Sequence, residues 1–563
     1  MRLRGQLCAI LLMPASMALA QRFEDVTAAS GIQFLHQSSP TPRKYLPETM
    51  GGGVAVLDAN LDGRMDVFFV NGAHLAFPHP EGSEPDKSDR RFWNRLYLNL
   101  GGSRFTEATE RFGLQGRGYG MGAAVGDVDN DGDPDLLVTQ AATGNTPAAT
   151  LYLNEGGRAF RDVTVESGIS AQGWATSAGF FDADNDGDLD LMILRYMRWR
   201  FDVDHRCGME ATYGRSYCHP DLFPPESSLF YRNDGDGTFS DSSGESGIAS
   251  HPGKGLGLAF ADYNLDGLTD IVVANDSHPQ FLFRNLGNSR FAEEGLDSGV
   301  AYDDHGDEFA GMGVLFEDLD DDGLPDLLVT ALSQERYALF FNAGNGLFDY
   351  STAVSGLGAA SQLLAGWGLA ALDADADGRR EVFFANGHVM DNIELSQPHV
   401  RYRQPPLLLT SDGRQLRDVS ASAGRIFERS WASRGMAMGD LDDDGLPDLV
   451  VSNLNGRPYV ARSMSPAGNS WLAVRVRGCS SSRDGLGARL TLEAPSGVRQ
   501  HRTVTRSGSY LSARDPRVFF GLGSYQGPAK LTVDWPSGAV TEIRDIGPGT
   551  VHEVTESAPC PGW

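Results

Sequence analysis

One nine-residue pattern, D-x-[DN]-x-D-G-x-x-[DE], recurs seven times and sets what this chain can fold into. The copies begin at Asp58, Asp127, Asp182, Asp262, Asp318, Asp373 and Asp440. Successive starts lie 69, 55, 80, 56, 55 and 67 residues apart, too long for one hairpin each and suited to a four-stranded sheet with its loops. A small or apolar run such as GMGAAVG, GLGLAFA or RGMAMG precedes each copy, and a run such as VFFV, LMIL or IVV follows. Short β-rich runs bounded by turn residues read as strands, so each acidic loop joins two strands of a hairpin. Glycines before the loops suit an innermost strand crowded around a central axis.

A second signature lies between the loops: a strand ending in Asn or a turn, a Gly-rich turn, then F-x-[DE]. Examples are LYLNLGGSRFTEATERFGL from Leu96 and LYLNEGGRAFRDVTVESGI from Leu151. Six internal copies serve the seven loops, and the run from Arg22 to Ile32 matches only the second half. Its first half is expected around Arg457–Arg462, after the seventh loop. Pairing the first strand with the last sheet closes a ring and removes an exposed edge. The expected fold is all-β: a seven-bladed β-propeller over residues 21–465. From about Gly468 the loops stop, and runs such as WLAVRVRG and KLTVDWPSG predict a small, separate C-terminal β domain over 466–563, packed on one face and wet on the other.

Alternating carboxylates around a fixed Gly suit a hard, oxygen-loving cation. Positions 1, 3, 5 and 9 offer side-chain oxygens, position 7 a backbone carbonyl, and Gly at position 6 allows the sharp wrap. The expected Ca2+ ligands of the first loop are Asp58, Asn60, Asp62, Arg64 and Asp66; of the second, Asp127, Asp129, Asp131, Asp133 and Asp135. The third offers Asp182, Asp184, Asp186, Asp188 and Asp190, and the fourth Asp262, Asn264, Asp266, Leu268 and Asp270. The fifth offers Asp318, Asp320, Asp322, Leu324 and Asp326, and the sixth Asp373, Asp375, Asp377, Arg379 and Glu381. The seventh offers Asp440, Asp442, Asp444, Leu446 and Asp448, which makes up to seven Ca2+ ions in all. An EF-hand is excluded, because its Glu at position 12 is replaced here by an apolar strand residue in every copy, from Phe69 to Val451. Affinities of ~0.1–1 mM, as in extracellular modules, are expected. Loop six, with Glu381 at position 9 beside Arg379 and Arg380, is expected to be the weakest.

The charge belongs to the loops. The chain carries −28 at neutral pH, and the seven windows hold 30 carboxylates and three arginines, a net of −27. Clustered acid of this kind opposes phosphate-backbone binding, so no nucleic-acid partner is expected. Residues 1–20 read as a signal peptide, with Arg2 and Arg4, an apolar core from Leu7 to Met13 and the small-x-small site Ala18-Leu19-Ala20. The predicted mature protein is secreted or periplasmic, and no run approaches the ~20 apolar residues of a transmembrane helix. Four cysteines remain, which favours disulfides in an exported chain: Cys207 with Cys218, and Cys479 with Cys560. A metal site of Cys207 and Cys218 with the flanking His205 and His219 is the rival reading.

The loops resemble the FG-GAP/VCBS repeats of integrin-α-type propellers, and the resemblance implies Ca2+ in their hairpins. KYLPETMGGGVAVLD and the NGAH and NGH stretches at Asn71 and Asn386 are similar to the cartilage acidic protein-like family. GNSWLAVRVRG, SRDGLGARLTL, SGSYLSARDPRVFFGLG and LTVDWPSG resemble an ASPIC/UnbV domain. The resemblance implies an exported calcium-binding protein of extracellular interactions.

The function these features favour is a non-catalytic recognition or adhesion module for a glycan, matrix or protein ligand. The excursion from Arg195 to Ser228, with Tyr196, Trp199 and Phe201 beside arginines, is the expected recognition surface; a loop pinned over the ring is its rival reading. The alternative function is a polysaccharide lyase or hydrolase using His74, His388, Glu48 and Arg434. Against it, the sequence holds no nucleophile elbow and no His-Glu-x-x-His zinc motif.

Overall fold

Each acidic loop joins the two inner strands of a four-stranded antiparallel sheet, and seven such sheets form the blades of a ring. The computed structural model describes residues 22–557 apart from 78, 81–82, 143–146, 202–204 and 209–213. The expected signal segment and Cys560 lie outside the described residues. The innermost strands are Val54–Leu57, Tyr119–Gly126, Ala175–Phe181, Gly255–Ala261, Val314–Glu317, Gly366–Leu372 and Ser433–Gly439, for blades one to seven. The ring closes as the split signature predicts. Phe23–Asp25 is the outer strand of blade seven, with Phe23 opposite Ser463 and Asp25 opposite Ala461.

The inner strands are rich in Gly and Ala because nothing larger fits where seven strands converge. A Cβ on Gly53 would overlap the carbonyl oxygen of Leu511 and lie 2.7 Å from the Cα of Gly122 in the next blade. Larger apolar side chains on the second and third strands fill the space between blades, and Val67, Phe68, Leu136, Leu137, Ile271 and Leu327 are fully buried there. Helices are confined to single short turns, and among the described residues none is long and apolar enough to cross a membrane.

The C-terminal region forms a three-stranded sheet around Ser470–Arg477 and a four-stranded sheet around Arg489–Glu493. Strand Ala529–Asp534 shows the alternation read from sequence, with Ala529, Leu531 and Val533 buried. The region is not a detached appendage, however. Residues 505–517 enter the central channel and bond to the innermost strands of six blades. Val56 N donates to Ala513 O (3.0 Å), Ala123 N to Leu511 O (3.1 Å), and Ser509 N to Val314 O (2.7 Å). Gly508 N donates to Leu258 O (3.1 Å), Leu369 N to Ser509 Oγ (3.2 Å), and Ser509 Oγ to Met436 O (2.9 Å). Inner-edge backbone groups need partners when water is excluded, and this plug supplies them.

The other mouth of the channel is closed by the excursion between the second and third strands of blade three. This overturns the expected recognition surface: Tyr196, Trp199 and Phe201 are 1%, 8% and 3% exposed. Trp199 packs edge-on against Tyr45 and Trp174, with ring centroids 5.8 and 5.6 Å apart. Cys207 and Cys218 form a disulfide that pins the excursion, so they are not metal ligands. Aromatic rings beside arginines give the same pattern whether they face solvent or a channel mouth; the hole they fill exists only once the ring has closed.

If the plug is part of the propeller core, Leu511→Ala should destabilise the whole chain by about 3 kcal/mol, the usual cost of truncating a buried leucine. Urea unfolding is expected to shift as one transition. An early transition confined to the C-terminal sheets would show that the two regions fold independently.

Candidate metal centres

All seven loops share one backbone conformation, dictated by the position-1 carboxylate. One oxygen of Asp58, Asp127, Asp182, Asp262, Asp318, Asp373 and Asp440 accepts the N–H of the position-6 glycine at 2.8–3.0 Å in every loop. That glycine has φ between +87° and +100°, a region closed to most side chains. Position 4 is also left-handed in each copy, including Leu61, Leu265 and Ala376. The position-5 carboxylate accepts the N–H of position 7, as from Leu324 to Asp322 (2.9 Å).

Position 9 does more than its expected role as a ligand. In blade two, Asp135 accepts from Val128 N (2.9 Å) and from Asn154 N at the end of the third strand (2.8 Å). Asp66, Asp190, Asp270 and Asp326 do the same with Asn99, Asn233, Asn285 and Asn342. Those asparagines then reach across the blade boundary. Asn154 Nδ2 donates to Ala59 O, Asn233 to Val128 O, Asn285 to Ala183 O, Asn342 to Tyr263 O and Asn99 to Leu441 O, at 2.8–3.2 Å. Each therefore ties its own blade to the loop of the blade before it. Sequence reasoning noted the Asn only as a strand end; its return at the same place in five blades was the available signal.

Side-chain oxygens converge above this scaffold. One atom each from Asp127, Asp129 and Asp135 lies within 4.8 Å of the others, and so do trios from Asp182, Asp184 and Asp186, and from Asp318, Asp320 and Asp326. Asp373, Asp375 and Glu381 form a further trio. In loops one and four the position-3 residues Asn60 and Asn264 donate to Asp62 and Asp266. The position-7 side chains take no part in these trios; Arg64 turns back to pair with Asp62. The donor set is oxygen throughout, which fits Ca2+ and not a soft metal. Asp127 Oδ1, Asp184 Oδ1, Asp318 Oδ1, Asp375 Oδ1 and Asp442 Oδ1 are buried without a hydrogen-bond partner, in five of the seven loops. A buried carboxylate oxygen left unpaired is costly, and a cation is the partner that this chemistry fits.

Basic residues pair with the carboxylates of some loops. Arg22 pairs with Asp375 and Glu381 of loop six, each at 2.9 Å. Arg380, assigned from sequence to loop six, points away and pairs with Glu317 at 2.9 Å. Arg414 reaches Asp320 (2.8 Å), and Arg462 reaches Asp442 (3.4 Å). Among the described residues, no basic side chain forms an ion pair with the carboxylates of loops three and four.

The C-terminal region covers this loop face. Arg483 Nη1 donates to Asn130 O (2.9 Å), Arg502 Nη1 to Asp321 Oδ1 (2.7 Å), and Arg517 Nη2 to Asp440 O (3.0 Å). Burial under it pushes the carboxylates upward: Asp127 to about 8, Asp373 and Asp440 to about 7. At position 9, burial outweighs the two amide bonds and lifts Asp190, Asp270 and Asp326 to about 8.

The residues proposed for an enzyme are placed otherwise. Glu48, His388 and Arg434 are 1%, 5% and 0% exposed, whereas His74 is on the surface. Arg434 is spent on the carbonyls of Thr49, Ser433, Gly387 and His388, with its guanidinium 4.0 Å over Trp367. Burial and Arg434 lower His388 to about 4. Glu48 accepts from Thr41 Oγ1 (2.6 Å) and Tyr217 OH (3.2 Å), and burial raises it to about 7.

Residues 58–138, 221–273, 262–329 and 318–384 match the FG-GAP-like repeat, and residues 478–560 match ASPIC and UnbV. Human cartilage acidic protein 1 is 23% identical over 92% of this chain and 73% of its own length. The Xenopus tropicalis protein of that name is 24% identical over 96% of this chain and 78% of its own. Among solved structures, the BP39L lectin of Burkholderia pseudomallei aligns with a TM-score of 0.39 and 9% identity, over 73% of this chain and 95% of its own. An Agrocybe aegerita protein, solved with specific recognition of non-reducing terminal N-acetylglucosamine, gives 0.39 and 14%, over 72% and 87%.

Two outcomes follow from the loop geometry. Asn154→Ala strands buried backbone groups in two blades and should cost about 2 kcal/mol in chemical denaturation. For protein stripped of divalent ions, the raised carboxylates have a stability consequence of definite sign. The folded chain holds more protons than the unfolded one between about pH 4 and pH 8, so stability falls as pH rises through that window. Melting temperature should therefore be lower at pH 8 than at pH 5.5, and millimolar Ca2+ should shrink or reverse the difference.

Proposed function

We propose that this protein is an exported, non-catalytic recognition module whose loops bind Ca2+. The observation that carries the metal reading is the set of unpartnered buried carboxylate oxygens, one in each of five loops. Calcium there would neutralise acid held beneath the C-terminal region, so it stabilises the docking of that region as well as the hairpins. Loop three, with an unpartnered oxygen on Asp184 and no ion pair to a basic side chain among the described residues, holds the ion most tightly, and loop six, with Arg22 inside it, holds it least. The disulfide-bonded Cys207, Cys218 and Cys479 support an oxidising compartment. The burial of Glu48, His388 and Arg434 supports recognition over catalysis, since a catalytic group needs access to substrate. The ligand class is extracellular: a glycan, matrix component or protein.

Removing two ligands of loop three with Asp184→Asn and Asp186→Asn should lower the calcium count in equilibrium dialysis by one ion. An unchanged count would exclude that loop as a site. Binding of the full chain to a glycan panel, with and without chelator and with released fragments assayed alongside, tests the function. Calcium-dependent retention without fragments is the expected result; released fragments would replace this reading with a lyase or hydrolase.

A further inference from the structure

A cavity of about 260 Å³ lies between the loops of blades four and five and the C-terminal region. Its walls carry Arg380, Arg489 and Arg502, the position-1 carboxylates Asp262 and Asp318, and Trp535. The charge around it is unevenly satisfied. Glu317 is shared by Arg380 (2.9 Å) and Arg514 (2.5 Å), and Arg502 is matched by Asp321 (2.7 Å). Arg489 has a single polar partner among the described residues, the carbonyl of Gly323 at 2.6 Å. Asp534 pairs with it in register across the sheet but forms no ion pair with it. Arg380 is 4% exposed, and its Nε is buried without a partner. Its Nη1 and Nη2 donate to Glu317 and to the His501 carbonyl (3.1 Å), so one buried N–H alone is left without an acceptor, at a desolvation cost that an incoming acceptor would relieve.

We propose that this cleft binds the carboxylate of an acidic sugar residue, held by Arg489 and Arg380 with the ring against Leu265 and Pro536. The proposal rests on the calcium reading, because Asp262 and Asp318 would repel an anion unless loop-bound metal neutralised them; Asp534, also on the cleft wall, is exposed and screened by solvent. Guanidinium donors match the planar fork of a carboxylate. Histidine adds no charge here: His501, which also lines the cleft, is lowered to about 4 by burial and the arginines around it. The volume falls below the range of about 300–1,000 Å³ usual for drug-sized ligands, so a single ring is the size that fits. Leu265 and Pro536 supply the apolar wall, which suits the C–H face of a sugar.

The test is calorimetric titration of the full calcium-loaded chain with glucuronate, glucose and sulfate, its calcium content measured on the same preparation. Glucuronate is expected to bind saturably and at least about tenfold more tightly than glucose or sulfate. Arg489→Gln should lower that affinity by about tenfold or more, the size of one charge-assisted contact, with the calcium count unchanged. Arg489→Lys, which keeps the charge and loses the fork, should fall between the two. Sulfate binding as tight as glucuronate, or equal affinity in all three proteins, would overturn the sugar assignment. Absence of glucuronate binding in a protein that holds its calcium would overturn the cleft and leave the metal reading standing. A protein that holds no calcium would overturn both.

Discussion

The ring depends on a carboxylate at position 9 that serves two strands at once. In blades one to five this Asp accepts one amide from its own loop and one from the Asn ending the third strand. The Asn then donates to the preceding blade, so each hairpin is clamped within its sheet and stitched to its neighbour. Hydrogen bonds of this kind contribute modestly when made and are expensive when lost in a buried setting. Repetition turns a local turn preference into a closed ring.

Where the stitch is absent, charge replaces it. Blades six and seven have no Asn at that place: Thr410 meets Glu381, and Ser463 meets Asp448. The same sector holds Arg22, which comes from the strand that closes the ring and pairs with loop six. The seam of the propeller thus concentrates its ion pairs where both chain ends of the ring meet.

The C-terminal region completes the molecule from the acidic side. Its arginines sit on the loops, and its plug fills the axis, so loop charge, interdomain contact and channel packing are one problem. The proposed cation in the loops would remove repulsion under a surface that water reaches poorly, where charge interactions are strong. The arginine cleft above blades four and five lies in the same interface, which places the inferred ligand site where the two regions meet.

Period, loop chemistry and closure were legible in the sequence because each depends on local residue type. Gly at position 6 is required by a positive φ, apolar runs flank every loop, and the half-signature at Phe23 needs its complement at Ser463. Cys207 and Cys218 were readable as a pair for the same reason, being eleven residues apart. What lay beyond reach depends on residues distant in sequence. Leu511 and Ser512 fill a channel formed by strands distant in sequence, and the bond from Val54 N to Ser512 spans 458 residues. Tyr196, Trp199 and Phe201 look like a binding surface until the ring supplies the mouth that buries them. The neighbours of Arg380 behave likewise: sequence places it in loop six, and the fold turns it to Glu317 and a cleft. Local chemistry decided the repeat; only convergence of distant strands decided what the repeat encloses and what covers it.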